Sequence, residues 1–139
     1  THRVSQAIEA AERDEPSAFV IASASRPGHL LGTIDFRNGY PHAEFSIRDV
    51  GYAVSASARG RGLATTGLRL LTRWLLDPAG GDVHRAQLDH AVENVASCRT
   101  ALRAGFDVEG RRDLFLPLRA EPDAPVVRHD VCLHGRVRR

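Results

Sequence analysis

A chain of 139 residues with 42% hydrophobic and 26% charged content has room for one domain with a single sizeable core, and no composition shift divides it. The net charge of +2, the scatter of arginines from Arg3 to Arg139 and the 6% aromatic content all argue against nucleic acid as a partner. All 19 Lys and Arg positions hold arginine, and a chain without lysine has no Schiff-base or pyridoxal phosphate anchor and no Walker-type phosphate loop.

Val4, Ala7, Ile8 and Ala11 recur at helical spacing and predict a short amphipathic helix that ends near Asp14, before Pro16. Ala18 to Ala24 reads as a strand, Arg26-Pro27-Gly28 as a turn and His29 to Phe36 as the returning strand of a hairpin. After the turn signals Asn38-Gly39 and Pro41, the stretch from Ala43 to Val54 predicts a long strand, bulged near Gly51, that stops at Ser55-Ala56-Ser57-Ala58. Ala64, Gly67, Leu68, Leu71, Trp74 and Leu75 share one face of a helix closed by Asp77-Pro78 and Gly80-Gly81.

His84 to Val92 reads as a strand. Asn94 can cap a helix with apolar positions Val95, Cys98, Ala101 and Leu102, which Gly105 stops. Val108 to Leu116 and Val126 to Val137 form a closing pair of strands around a stretch containing Pro117, Pro122 and Pro125. The strand, helix and strand between Ala43 and Val92 make a crossover unit that favours parallel pairing, while the flanking hairpins favour antiparallel pairing. The fold class expected is α/β with a mixed sheet.

Apolar runs such as Phe19 to Ala22 are too short to cross a bilayer, and no signal-like stretch opens the chain, so a soluble, cytoplasmic protein is expected. Cys98 and Cys132 match no zinc or redox spacing and read as reduced core thiols. His129, Cys132 and His134 lie close together, but strand alternation turns Cys132 and His134 one way and His129 the other, so no metal is expected. The chain starts at Thr1 and has no methionine, which leads us to expect further N-terminal sequence.

Chemistry concentrates where the long strand ends, the loop Arg59-Gly60-Arg61-Gly62 follows and the leucine-rich helix begins at once. Free N–H groups and the macrodipole at a helix start attract anions, and glycines let the main chain approach phosphate oxygens. Arg59 and Arg61 add forked donors. A Rossmann site would want a third glycine where Thr65 stands.

The segment Asp49-Val50-Gly51-Tyr52-Ala53-Val54, followed by Arg59-Gly60-Arg61-Gly62-Leu63-Ala64-Thr65, resembles the acetyl-CoA motif of the GNAT superfamily of N-acetyltransferases. That motif is summarised as Q/R-x-x-G-x-G/A, and Arg59, Gly62 and Ala64 carry the match. A second block, Glu93-Asn94-Val95-Ala96-Ser97 through Arg103-Ala104-Gly105-Phe106 to Glu109-Gly110-Arg111, is similar to the downstream signature of the RimJ/RimL-like branch, the ribosomal-protein alanine acetyltransferases. The resemblance extends from the first helix to the C-terminus. It departs from the branch at Ala56, where proline is common, at Thr66, where glutamate is common, and at Gly67, which weakens the helix. The first strand of the family has no counterpart, and it lies upstream of Thr1, comes from a partner chain such as a second copy in a homodimer, or is absent.

The resemblance implies a single GNAT domain over residues 1–139. Its activity would be acetyl transfer from acetyl-CoA, with no metal, to a primary amine by direct attack in a ternary complex. The acceptor would be a protein N-terminus or a small-molecule amine. It further implies that the strand through Tyr52, Ala53 and Val54 splays from the strand ending near Val92, with the pantetheine arm in the gap and a backbone N–H near Val54 on the thioester oxygen. By the same likeness Arg59, Gly60, Arg61, Gly62, Leu63, Ala64, Thr65 and Asn94 complete the coenzyme site. Ser97 matches the family serine that donates a proton to the coenzyme sulfur, Asp49 stands where the branch has a glutamate, and His90 is a further candidate base near the end of the facing strand. Each has an ordinary reading as well: Asn94 as a helix cap, Ser97 and Asp49 as solvated groups, His90 as a structural histidine. Glu44, Arg48 and Tyr52 are open candidates for the acceptor side. A GNAT-like module that binds acyl-CoA without catalysis is the alternative.

Overall fold

The computed structural model describes residues 17–139; the helix expected from Val4 to Asp14 lies outside them. Six strands and two α-helices follow one another as β1 (Ser17–Ala22), β2 (Leu30–Asn38), β3 (Ile47–Val54), α1 (Leu63–Leu76), β4 (Arg85–Ala91), α2 (Val95–Arg103), β5 (Asp107–Leu118) and β6 (Val127–Val137). Their order in the sheet is β1-β2-β3-β4-β6-β5. Among the described residues only β3 and β4 run parallel, joined through α1, and every other neighbouring pair is antiparallel. A crossover helix is what a parallel pair requires, so the mixed sheet follows from the order of the elements.

Both helices cover one face of the sheet. Leu68, Leu71 and Leu75 are buried at helical spacing along α1 and meet Ile34, Phe36, Val50, Ala86, Leu88 and Phe106 in the core. Complete burial of a leucine side chain contributes about 1.5–3 kcal/mol, so this stripe anchors α1. Phe36 stacks on Phe19 at 6.2 Å and meets Trp74 at 6.0 Å, tying the hairpin to the end of α1. The helix stops where Asp77 and Gly81 both donate their N–H groups to the Trp74 carbonyl, at 3.3 and 2.8 Å.

Three local expectations change. The stretch from Ala43 is not one strand: Ala43–Phe45 forms a 3-10 turn, Ser46 takes a left-handed conformation (φ 51°), and β3 starts at Ile47. No bulge occurs at Gly51, because β2 and β3 keep one register from Gly32↔Val54 to Asn38↔Arg48; the irregularities fall in β1 and β5 instead. On α2 the apolar positions Val95 and Leu102 are exposed and Ala101 is the buried one, so this short helix packs through small residues. Asn94 does cap it, and Gly105 (φ 91°) stops it in the left-handed region that suits glycine.

Candidate functional site

The parallel ladder between β3 and β4 is short. It pairs Ile47 with Arg85, Arg48 with Ala86 and Asp49 with Gln87, and then ends, while β3 stays paired to β2 as far as Val54. Beyond that last rung, residues 50–54 and 88–91 diverge into a fork. Next to it lies a cleft of about 700 Å³, lined by Tyr52, Ala53 and Val54 of β3, by the loop and first turn of α1, and by one side of α2. That volume falls in the range of small-molecule and cofactor sites.

The loop delivers the start of α1 to this cleft. Gly60 (φ 81°) and Gly62 (φ 70°) both need the left-handed region, and space is open where a side chain on either would project. Gly62 is the N-cap and supplies no side-chain cap. The first intrahelical bond of α1 runs from the Thr66 N–H to the Gly62 carbonyl, so the N–H groups of Leu63, Ala64 and Thr65 have no partner within the helix, and these three residues line the cleft. Arg59 braces the loop by donating from Nε to the Val54 carbonyl at 3.2 Å. Arg61 does not line the cleft; its guanidinium donates to the Ser57 carbonyl at 3.5 Å.

The opposite wall is α2. Asn94 Oδ1 accepts from the Ser97 N–H at 3.1 Å, so the capping reading holds for that oxygen while the residue also lines the cleft. Ser97 lines it too, and Tyr52 reaches over from β3 to donate its hydroxyl to the Ser97 carbonyl at 3.4 Å. Sequence reasoning missed Arg99, Thr100 and Arg103, which continue the Ala96 side of α2 into the cleft at helical spacing. That spacing was the available signal. Arg59, Arg99 and Arg103 line the cleft and, among the described residues, no carboxylate does, which gives this lining a cationic character.

The three catalytic candidates do not come together. Ser97 is in the cleft wall. Asp49 sits on the last rung of the ladder, its Oδ1 accepting from Gln87 Nε2 at 2.8 Å, and partial burial pushes its carboxyl above the usual aspartate range against the lowering effect of that bond. It alternates with Val50, so it faces away from the helices, towards the side where Asp35 lies against Gly51. His90 is buried on the helix-bearing face, outside the cleft lining, and both ring nitrogens are engaged: Nδ1 with the Ala91 carbonyl at 2.7 Å and Nε2 with His134 Nε2 at 3.0 Å. A free base is not what this geometry makes of it. Cys98 and Cys132 are free and half-buried rather than core thiols, and His129 points its Nδ1 to Glu93 at 3.4 Å, away from Cys132 and His134 as alternation requires.

The family model of the acetyltransferase (GNAT) domain matches residues 1–107. No curated protein sequence matches the chain. Among solved structures, the ribosomal-protein-S5-alanine acetyltransferase of Vibrio fischeri superposes with a TM-score of 0.77 at 19% identity, over 98% of this chain and 69% of that one. RimL, a ribosomal-protein α-N-acetyltransferase in complex with coenzyme A, gives 0.76 at 23% identity, over 99% and 70%. A spermidine N-acetyltransferase of Vibrio cholerae gives 0.73 at 16% identity, over 96% and 72%. The forked parallel pair, the uncapped glycine loop at the start of α1 and the family match over most of its length agree: the chain belongs to the GNAT family of acetyl-CoA-dependent N-acetyltransferases, with the fold of the RimJ and RimL enzymes.

Proposed function

We propose that the cleft binds acetyl-CoA, its phosphates on the amides of residues 60–65 and its pantetheine arm in the fork between β3 and β4, and that the acetyl group passes directly to a primary amine. The observation that carries this reading is the lining itself: among the described residues, three arginines, no carboxylate, and a helix start without a side-chain cap beside a broken ladder. A coenzyme bearing several phosphate charges suits such a site, because charge-assisted bonds to guanidinium groups and backbone amides are the strong ones.

The acceptor would approach from the face opposite the helices, where Asp35 and Asp49 offer negative charge to an amine. Asp49 stands at the closed end of the fork and accepts the amine proton, directly or through water. Its raised pKa brings it closer to the basicity a general base needs. As nitrogen bonds to the acetyl carbon the carbon–sulfur bond breaks, and Ser97 in the cleft wall supplies the proton to sulfur. The fork holds the thioester in place, and positioning of this kind supplies a large share of the rate in a bimolecular transfer. The named fold relatives act on ribosomal-protein alanine and on spermidine, which supports a protein N-terminus or a polyamine-like small molecule as acceptor here.

The test pairs calorimetry with a turnover assay. Acetyl-CoA is expected to bind one per chain, and thiol release is expected with at least one member of a panel of N-terminal peptides and polyamines. Binding without turnover across the panel would leave a non-catalytic acyl-CoA module, and no binding would remove the cleft assignment altogether.

A further inference from the structure

A second cluster of chemistry-bearing side chains lies outside the cleft lining, on the same helix-bearing face of the sheet. His90 of β4 stands directly opposite Cys132 of β6, and Leu88 opposite His134. Residues paired in this way share a face, and Leu88 belongs to the core, so all three side chains project under the helices from adjacent strands. His90 Nε2 is 3.0 Å from His134 Nε2, Cys132 Sγ is 3.5 Å from that same nitrogen, and the three donor atoms lie within 4.8 Å of one another.

We propose that His90, Cys132 and His134 form a binding site for a divalent transition metal of the zinc type, ligated by two imidazole Nε2 atoms and one thiolate, with a fourth position open. Zinc takes imidazole nitrogen at about 2.0–2.1 Å and thiolate sulfur at about 2.3 Å, so a tetrahedral centre separates its nitrogens by about 3.3 Å and nitrogen from sulfur by about 3.6 Å. Two of the separations here are already near those values, and the third, between His90 and Cys132, is at most 4.8 Å, so closing on an ion calls mainly for drawing those two side chains together. The donor set is borderline to soft, which selects zinc, cobalt or copper over magnesium or calcium.

The hydrogen bonding points the same way. The Ala91 carbonyl accepts from His90 Nδ1, which leaves the Nε2 lone pair of His90 aimed into the cluster, as in sites where an outer carbonyl orients a ligating histidine. His134 is fully buried and its Nδ1 has no partner among the described residues. If its proton sits on Nδ1, two lone pairs confront each other at 3.0 Å; if on Nε2, a buried acceptor is left orphaned. A metal ion converts the first arrangement from repulsion to coordination. Ligation by sulfur displaces the Cys132 thiol proton, so ion binding releases one proton to solvent. None of the three lines the cleft, so the centre would fasten β4 to β6 just before the Asn94 cap rather than take part in transfer.

The test is a titration of the full, metal-free chain with Co²⁺, with circular dichroism to verify folding. One equivalent per chain is expected to produce the visible bands of tetrahedral cobalt together with a thiolate charge-transfer band, and to raise the thermal midpoint. Cys132→Ser, a near-isosteric change at a half-buried position, is expected to lose the charge-transfer band and weaken binding by about 10–100-fold or more, since even outer-shell groups of metal sites are worth that much. His90→Gln should also lose the tetrahedral spectrum, and Cys98→Ser should keep both features. A folded chain that gives no such spectrum at saturating Co²⁺, or a charge-transfer band that survives Cys132→Ser, overturns the proposal and leaves only a buried histidine pair.

Discussion

Gly62 shows how one position joins backbone geometry to binding. Its φ of 70° is open to glycine and costs other L-residues roughly 1–2 kcal/mol, and nothing lies within 4 Å of where its side chain would begin. Gly62→Glu should therefore fold, at reduced stability, while placing bulk and negative charge at the proposed phosphate position. Coenzyme A affinity by calorimetry is expected to fall at least about 100-fold, a loss of roughly 2.7 kcal/mol. Asp49→Asn makes a different kind of change, keeping shape and one polar oxygen for Gln87 while removing the proposed base. The expected result is a fall in kcat of about 100-fold, within the usual range for a general base, with the KM for acetyl-CoA little altered. An unchanged kcat would return Asp49 to the status of an ordinary strand carboxylate.

At the scale of elements, α1 carries both the core and the loop, and its one weak point is Gly67. That residue sits in the helix interior with Ile21 and Ile34 methyl groups 3.6 Å from a would-be Cβ, ordinary contact distance. Gly67→Ala is expected to stabilise the protein by about 0.5–1 kcal/mol through helix propensity, read as a higher urea midpoint with unchanged slope. A destabilised variant would mean that the hairpin cannot accept even a methyl group there. The shorter α2 is held differently: Arg69 on α1 donates from Nε and from its terminal nitrogen to the Arg103 carbonyl, at 3.1 and 2.6 Å. This cation at the C-terminal end of α2 complements the helix dipole and fixes the spacing of the two cleft walls.

Across the whole molecule, charged pairs tie the far edge of the sheet together. Arg85 on β4 forms an ion pair with Glu109 on β5, reaching past β6, and Arg111 pairs with Asp130. The hydrogen bond from Arg85 is the main cause holding the Glu109 carboxyl below the usual glutamate range. A carboxyl with a lower pKa in the folded state contributes its full stabilisation above its unfolded value, near about pH 4.3, and loses it as pH falls through the folded value. Stability should thus decline as the solution is acidified below that point, and Glu109→Gln should flatten this part of the profile. Urea midpoints between pH 3 and 6 (roughly the carboxylate range) would check it, and an identical acid limb in wild type and variant would show that the pair contributes nothing. The Glu109 side chain is 33% exposed, so solvent screening keeps the expected effect small.

What the sequence determined by itself was local and periodic. The leucine spacing of α1, the Asn94 cap, the Gly105 stop and the Arg59-to-Ala64 loop rest on contacts between near neighbours along the chain, and each appears where those residues stand. The order strand, helix, strand favoured one parallel pair in an otherwise antiparallel sheet, and β3 and β4 form it. Tertiary structure decided everything that depends on which side chains meet from distant segments. The start of β3 was misread because alternation does not reveal the left-handed Ser46, and the buried side of α2 because its larger apolar residues, Val95 and Leu102, are exposed while Ala101 is buried. Arg99 and Arg103 reach the cleft only because α2 packs beside α1. Within β6 alone, alternation separates His129 from Cys132 and His134; cross-strand register with β4, which no spacing along the chain encodes, brings His90 to them.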